Sequence, residues 1–203
     1  MPARNVIKQY HDNAYYHLYN RGVEKRCIFL DDKDYVVFLN LLKRHLSPAQ
    51  HQDQRGTIYV SYAGRVELLA FCLMPNHFHL FFFLDNDPTA ITELMRRVSG
   101  AYTTYFNKKY ERVGHLFQGV YKASRITTDS YLQHISRYIH LNPEEYQGWQ
   151  YSSWPYYVKK WQGDWIKPKR ILDMFANDSY AAFVADYEDY KSSLAEIKHE
   201  LAD

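Results

Sequence analysis

Apolar residues recur along this chain with two different spacings. Short apolar or alternating stretches are typical of strands, and longer stretches with apolar residues every three or four positions are typical of helices. Strands are predicted at 14–20, 58–62, 66–73, 77–84 and 120–127. Helices are predicted at 31–46, 88–106, 129–142, 169–175 and 179–194. The glycine-containing stretch 113–119 is predicted to be an ordered loop.

The order of these elements favours one fold class. Strands that return through hairpins and helices build an antiparallel sheet with helices packed on one face, an α+β fold of the ferredoxin-like kind. No internal repeat, low-complexity tract or clean linker interrupts the chain. We therefore expect one core domain over residues 1–150, with residues 151–203 forming a helical C-terminal extension packed on that core.

The stretch LLAFCLMPNHFHLFFFL combines a hairpin signal with candidate chemistry. Pro75 and Asn76 favour a turn between two strands. Because side chains alternate between the two faces of a strand, His77 and His79 are expected on one face and Phe78 on the other. Two neighbouring imidazoles are a pair of potential metal ligands. The same spacing also fits two histidines on a half-exposed strand that bind no metal.

The predicted helix 129–142 carries a second pair of candidate groups. Tyr138 and Asn142 are four residues apart, so they lie on the same helical face. The phenol is a potential nucleophile, and the carboxamide oxygen is a potential third metal ligand. The alternative is that Tyr138 belongs to the packed apolar stripe with Ile135 and Ile139.

These groups together suit chemistry at phosphorus. A tyrosine hydroxyl has a pKa of about 10 and is a poor nucleophile unless charge nearby helps it. A divalent cation on two histidines and an oxygen ligand would polarise a phosphate and stabilise the departing oxygen. A covalent phosphotyrosine would split one difficult step into two reversible ones. That sequence of steps suits the breaking and rejoining of a nucleic-acid strand.

The charge of the chain is divided unevenly. Residues 1–170 hold 23 basic and 15 acidic residues, a net charge of +8, whereas residues 171–203 carry a net charge of −6. A basic body with an acidic tail is compatible with a nucleic-acid partner, and it is also compatible with an ordinary surface that ends in an acidic helix. Aromatic residues make up 17% of the chain and include 20 tyrosines, so a single tyrosine is weak support for chemistry.

Cysteine content and hydropathy bear on the compartment. The two cysteines, Cys27 and Cys72, form no CxxC motif, which argues against a disulfide framework and a structural zinc site. The N-terminal sequence lacks the apolar segment of a signal peptide. The apolar run around Phe71–Phe83 is too short to cross a bilayer. A reducing cytosol is the expected location.

Three motifs carry a resemblance to a known family. They are MPNHFHL at 74–80, RVGHLFQG at 112–119 and YIHLNP at 138–143, and the SSW at 152–154 fits the same pattern. In this order and at these separations they resemble the REP-associated tyrosine transposases, which belong to the single-tyrosine branch of the HUH transposases and nucleases. The resemblance runs from about Tyr15 to Trp154.

The resemblance implies a ferredoxin-like fold and a specific activity. It implies a metal-dependent endonuclease and strand transferase that acts on hairpin-forming single-stranded repeat DNA through a 5′-phosphotyrosine intermediate, leaving a free 3′-hydroxyl. The implied nucleophile is Tyr138, and the implied ligands of Mg²⁺ or Mn²⁺ are His77, His79 and Asn142. Some relatives carry glutamine at the last of these positions. A bacterial cytoplasmic protein, associated with the nucleoid when bound to DNA, is expected.

The DNA surface and the oligomeric state are predicted from residue type. Basic residues are candidates for phosphate contacts, aromatic residues for base stacking, and two polar residues of the motif loop for further contacts. These candidates are Arg21, Arg96, Arg97, Tyr102, Arg112, His115, Phe117, Gln118, Tyr121 and Lys122. The acidic extension could cover a dimer surface, so a monomer is favoured over a dimer.

Two other functions fit the same residues. The first is a non-catalytic module that binds structured single strands through a basic, aromatic surface. The second is a metal hydrolase that uses His77, His79 and a carboxylate elsewhere, with Tyr138 in a structural role. A covalent protein–DNA adduct would separate the transposase-like hypothesis from both.

Overall fold

A single antiparallel sheet organises the structure, which is a computed structural model and describes residues 9–175 and 179–186. Its strands are β1 (Ala14–Arg21), β2 (Val66–Met74), β3 (His77–Leu84) and β4 (Lys122–Ile126). The strand order is β2-β3-β1-β4, with every neighbouring pair antiparallel. This order is that of the ferredoxin-like fold, and it places β1 and β3 at the centre.

The predicted hairpin is present between β2 and β3. Met74 pairs with His77, so Pro75 and Asn76 form the two-residue turn. The carbonyl of Pro75 accepts hydrogen bonds from the backbone amides of Ile28 and Phe29 at 2.7 and 3.0 Å. The turn is therefore held from outside as well as by its own residues, which fixes the position at which β3 begins.

Two long helices cover one face of the sheet. They are α1 (Asp32–Leu46) and α2 (Ala90–Lys109). A capping box between Asp31 and Asp34 begins α1, because each side chain binds the other residue's backbone amide. The apolar stripes of both helices pack against the side chains of β3 that alternate with the histidines, namely Phe78, Leu80 and Phe82.

The opposite face carries a third helix and the start of the C-terminal extension. Helix α3 (Asp129–His140) packs there with the shorter helices α4 (Trp154–Tyr157), α5 (Lys169–Leu172) and α6 (Tyr180–Ala185). The α+β class and the antiparallel sheet are confirmed. The pair of helices on one face is α1 and α2, while α3 adds a layer on the other because its apolar stripe packs against Leu69, Ala70 and Cys72.

The extension also covers the outer edge of β2. The backbone amide of Ser153 donates to the carbonyl of Phe71, and that of Lys167 donates to the carbonyl of Leu68, each at 2.8 Å. These bonds pair an edge that would otherwise expose free backbone groups. The C-terminal segment is thus bound to the sheet that carries the histidines.

Besides shifts of one to three residues at the ends of other elements, three elements differ from the sequence prediction. The strand at 58–62 is absent; Ile58 forms one isolated bridge with Gln52, because Ile58 and Val60 are exposed and no strand of the sheet lies beside them. Helix α3 ends at His140, so Asn142 lies beyond it. The helix predicted at 179–194 is described only over Tyr180–Ala185, and its remainder lies outside the described residues.

None of the helices within the described residues is long and apolar enough to span a membrane.

Candidate active site

Side chains of β3 alternate between the two faces of the sheet, and this places two histidines on the face opposite the main apolar core. His77 and His79 share one face, with ring centroids 5.1 Å apart and planes at 86°, while Phe78 between them is fully buried on the other face. His77 is half-buried and His79 is nearly enclosed, with 4% of its surface exposed. The strand itself therefore brings the two imidazoles together, as the spacing predicts.

Helix α3 carries Tyr138 to the same place. Its buried residues Leu132, Ile135 and Ile139 pack against the sheet and fix the rotation of the helix. The Tyr138 ring then lies edge-on to the ring of His79, with centroids 5.3 Å apart and planes at 80°. Tyr138 is half-buried, so it is both part of the packed stripe and adjacent to the histidine pair.

Asn142 completes the cluster from just beyond the end of α3. Its Nδ2 donates to the carbonyl of Tyr138 at 3.3 Å, which turns its Oδ1 toward His77. That Oδ1 lies 3.1 Å from Nε2 of His77. On the far side of the ring, Nδ1 of His77 lies 2.6 Å from Oδ1 of Asn76, so each ring nitrogen faces a carboxamide oxygen that can only accept. The one proton of a neutral His77 can therefore serve only one of these two contacts.

The tautomer with its proton on Nδ1 would bring two electron-pair donors face to face. In that tautomer Nε2 of His77 and Oδ1 of Asn142 both carry lone pairs at a separation of 3.1 Å. That separation is close to the roughly 3 Å between adjacent ligands of an octahedral Mg²⁺ with bonds of about 2.1 Å. A cation between these atoms would replace repulsion with attraction, so the residues present fit a divalent metal.

The donor set is two imidazoles and one carboxamide. Within the described part of the chain, no three histidine, cysteine, aspartate or glutamate side chains form a group that could hold a metal ion. A hydrolase site built from His77, His79 and a carboxylate therefore has no carboxylate among these residues. The third ligand available beside His77 is the neutral oxygen of Asn142.

Burial sets the protonation states of the cluster. It lowers the pKa of His77, against the opposing effect of the contact with Asn142, and it lowers the pKa of His79 well below its ordinary value. Neutral imidazoles are the form that binds metals. Burial also raises the pKa of Tyr138. The phenol is therefore protonated near neutral pH, and it needs help to become a nucleophile.

His17 is a third histidine in the cluster, and no sequence motif singled it out. It is fully buried on β1, and its Nε2 lies 2.9 Å from Nδ1 of His79. The two rings stack at 5.0 Å and 18°, and the ring of Tyr138 stands edge-on to His17 at 6.1 Å. Two features of the sequence could have indicated this position. His17 lies on one face of the predicted strand β1, and a ferredoxin-like sheet pairs β1 with β3 at its centre.

Comparison with known protein families identifies the chain. The family model described as transposase IS200-like matches residues 40–142, about half of the chain. The chain belongs to this transposase family. The resemblance carried by the three sequence motifs is confirmed, and the family acts on DNA. No curated protein matches the chain.

A solved structure shares the fold of this chain. The structure of a REP-associated tyrosine transposase bound to a REP hairpin is 14% identical, with a TM-score of 0.55 over 81% of this chain and 94% of the other. This similarity shows a common fold. A Deinococcus radiodurans protein classed as a transposase is 17% identical, with a TM-score of 0.38 over 68% of this chain and 95% of the other, too low to support an argument.

Four of the residues predicted to contact DNA lie beside the histidine cluster or in the motif loop 113–119. Arg21 pairs with His77 across the sheet, and its Nη2 donates to Oε1 of Gln118 at 3.4 Å. Lys122 lies on β4 with its Nζ 5.7 Å from the centroid of the Tyr19 ring, on the same face as His79. The fourth residue, His115, is exposed in the same motif loop as Gln118.

Three predicted stacking residues are instead part of the core. Tyr102 is fully buried and its hydroxyl donates to the carbonyl of Ile28 at 2.5 Å. Phe117 packs edge-on against Phe78, and the hydroxyl of Tyr121 lies 2.9 Å from that of Tyr10. Rings packed on this apolar layer offer no free face to a base, so we do not retain base stacking for these three.

The remaining basic candidates lie away from the histidines. Arg96 and Arg97 are exposed on α2, which packs on the opposite face of the sheet. Nε of Arg97 donates to the hydroxyl of Tyr62 at 2.9 Å. Arg112 is half-buried and its Nη1 donates to Asn107 at 3.1 Å. Their roles in DNA binding stay predictions.

Proposed function

We propose that this protein is a single-stranded DNA endonuclease and strand transferase with Tyr138 as nucleophile. One observation carries the proposal: Tyr138, Asn142, His77 and His79 converge on one half-buried spot, although they come from two distant parts of the chain. Structural packing alone requires the ring of Tyr138. It does not require Nε2 of His77 and Oδ1 of Asn142 to meet beside that ring.

The proposed reaction exchanges one ester bond for another. The hydroxyl oxygen of Tyr138 forms a bond to phosphorus, and the bond from phosphorus to the 3′ oxygen of the strand breaks. The tyrosine gives up its proton, and the departing oxygen gains one and becomes a 3′-hydroxyl. The protein then carries the 5′-phosphate as a phosphotyrosine. Attack by another 3′-hydroxyl reverses the step and joins a new strand.

His77, His79 and Asn142 would hold Mg²⁺ or Mn²⁺ in this site. When bound, the cation supplies positive charge that polarises the phosphate and stabilises the departing oxygen. The chain's own contribution is to position the groups. The hydrogen bond from Asn142 to the Tyr138 carbonyl and the contact between Nδ1 of His77 and Asn76 orient the two atoms that face each other. The packing of α3 holds the Tyr138 ring against His79.

The proposed substrate is single-stranded DNA that folds into a hairpin. Two features support it: family membership, and the binding of a REP hairpin by the structural neighbour with the same fold. Arg21, Gln118 and Lys122 lie on the histidine side of the sheet and would contact the strand beside the site. The net positive charge of residues 1–170 favours the binding of a polyanion such as DNA.

A cleavage assay with matched variants tests the proposal. The substrate is a labelled single strand carrying an imperfect palindrome that flanks the coding sequence, incubated with Mn²⁺. Tyr138→Phe keeps the ring and is expected to bind this DNA normally without cutting it. Tyr131→Phe, on the same helix, is the control and is expected to cut at the wild-type rate. Unchanged cleavage by Tyr138→Phe, or in the presence of chelator, would overturn the proposal.

The same assay distinguishes a non-catalytic module. A binding module would retain hairpin DNA with salt-dependent affinity and would cut no strand in any variant. Fully paired DNA of the same sequence is the second control, since recognition of unpaired bases predicts much weaker binding to it.

A further inference from the structure

Within the described part of the chain, the side chain of His17 makes one hydrogen bond, and its partner is a proposed metal ligand. Its Nε2 lies 2.9 Å from Nδ1 of His79, and the two rings are nearly parallel. Among the described residues, Nδ1 of His17 has no hydrogen-bond partner. A buried polar group that serves packing alone usually has all its atoms satisfied, so the single contact with His79 calls for an explanation.

Counting protons in this pair leaves two arrangements. A hydrogen bond between two imidazole nitrogens needs one proton, which belongs either to His17 Nε2 or to His79 Nδ1. In the first arrangement His79 carries its proton on Nε2, and that atom cannot bind a metal. In the second, His79 donates from Nδ1, and its Nε2 keeps a free lone pair.

We propose that His17 is a positioning residue, whose Nε2 accepts a hydrogen bond from Nδ1 of His79 and so leaves the lone pair of His79 Nε2 available to the metal. The inference rests on the proposed function, because it assumes that His79 is a ligand. Histidine ligands commonly donate their second nitrogen to an acceptor that fixes the tautomer and the ring orientation. Here that acceptor is a neutral imidazole on the neighbouring central strand.

The sheet explains why His17 can reach this atom. Tyr19 is the residue directly opposite His79, and His17 lies two residues earlier on β1, on the same face. Diagonal neighbours across an antiparallel pair are within reach of aromatic side chains. Nδ1 of His77 likewise lies 2.6 Å from an acceptor, Oδ1 of Asn76 in the turn before β3. Each proposed histidine ligand thus has a different potential acceptor within hydrogen-bond distance of its Nδ1.

Nuclear magnetic resonance of the metal-free wild-type protein tests the hydrogen bond without any substitution. Long-range ¹H–¹⁵N spectra distinguish a ring nitrogen that carries a proton from one that carries a lone pair. The expected result is a proton on Nδ1 of His79 and a lone pair on Nε2 of His17. A proton on Nε2 of His79 would overturn the proposal.

Mn²⁺ affinity of three variants, measured by electron paramagnetic resonance of the free ion, tests the consequence. His17→Phe removes the acceptor and keeps an aromatic ring, and it is expected to weaken binding about 10- to 100-fold. His17→Gln places an amide oxygen near the same point and is expected to recover most of that loss. His45→Gln changes a buried histidine on α1, against the other face, and is expected to bind as the wild type does.

The outcomes separate this inference from the proposed function. A wild-type protein that binds no Mn²⁺ contradicts the metal site itself. A wild-type protein that binds Mn²⁺ while His17→Phe binds it equally well contradicts only the role of His17. Equal weakening in His17→Phe and His17→Gln also contradicts it, since packing would then be the cause. If His17→Phe does not fold, the wild-type spectra and the glutamine variant decide.

Discussion

The two faces of the central sheet bury different kinds of side chain. Against α1 and α2 the sheet presents Leu18, Phe78 and Leu80, all fully buried in a continuous apolar layer. The buried polar residues of α1, Asp34 and His45, lie at its two ends rather than over the centre of the sheet.

The α3 face instead encloses polar groups at its centre. His17 and His79 are buried on the central strands, and His140 is buried on α3. Nδ1 of His140 lies 2.7 Å from the hydroxyl of Tyr180, and its Nε2 lies 2.7 Å from the hydroxyl of Ser153. This second network ties α3 to the C-terminal extension.

The comparison shows how one strand contributes both to the core and to the proposed active site. Alternate residues of β3 contribute to the apolar layer on one side and to the histidine cluster on the other. The apolar face can supply the burial that folds the sheet. The α3 face can then carry polar groups that are costly to bury, provided that each finds a partner.

The largest contrast is expected between neighbouring residues of β3. Phe78→Ala removes a ring packed between Phe38 and Phe117 and should lower the free energy of unfolding by about 3–5 kcal/mol. His77→Ala should stay folded while cleavage falls by at least about 100-fold, because the proposed metal supplies several kcal/mol. Denaturant unfolding and the cleavage assay check both. Similar destabilisation by the two substitutions would erase the distinction between the faces.

Acid is expected to destabilise the protein through the histidine-rich face. Burial lowers the pKa of both His17 and His140 to about 3, from an ordinary value of 6.5. Between these values the unfolded state binds protons that the folded state does not, so the free energy of unfolding falls as the pH decreases through this window. Chemical unfolding of the metal-free protein at about pH 7 and at about pH 4 measures the decline in the free energy of unfolding.

A variant isolates the share of one histidine in that decline. His140→Gln can keep hydrogen bonds to Tyr180 and Ser153 but does not titrate. Its stability should therefore fall less steeply with acid than that of the wild type. Identical slopes would show that His140 is not buried as a neutral group.

Loss of the α3 network should have a moderate cost. His140→Leu removes the bonds to Tyr180 and Ser153, although Tyr180 keeps Ser136 and Ser153 keeps the backbone of Phe71 as partners. Because these partners stay partly satisfied, we expect about 1–3 kcal/mol of destabilisation. Thermal or denaturant unfolding measures it, and no loss of stability would show that the network is replaceable by apolar contact.

The smallest effect is expected from single charges on the two faces. Arg21→Ala, beside His77, should weaken hairpin DNA binding several-fold and reduce the salt dependence by about one phosphate contact. Arg96→Ala removes an exposed charge from α2 on the other face and should bind nearly as the wild type does. Fluorescence anisotropy over a salt series compares them. A larger loss for Arg96→Ala would place DNA on the α2 face.

Local patterns in the sequence were sufficient for the fold and for half of the site. A period of two places His77 and His79 together whatever the rest of the chain does, and the Pro75-Asn76 turn sets the hairpin. The predicted helix also brings Tyr138 close to Asn142, although Asn142 lies two residues beyond the observed end of α3 and reaches the Tyr138 carbonyl through its side chain. The order of elements then restricts the sheet to few topologies, of which the ferredoxin-like one is observed.

Features that depend on tertiary contacts could not be predicted from local sequence patterns. The contact of His17 with His79 depends on cross-strand register, which no local pattern states. Tyr102, Phe117 and Tyr121 were assigned to base stacking from residue type, but the core required their rings. The hydroxyls of these tyrosines find partners inside the protein, so a polar tip did not imply exposure.

The most direct test of the account is to locate the covalent bond between protein and DNA. Wild-type protein is incubated with Mn²⁺ and hairpin-bearing single-stranded DNA, denatured, digested and analysed by mass spectrometry. The account predicts a nucleotide linked through a 5′-phosphate to Tyr138, and no adduct with Tyr138→Phe. An adduct on Tyr131 or another residue, or one that persists in Tyr138→Phe, would contradict it.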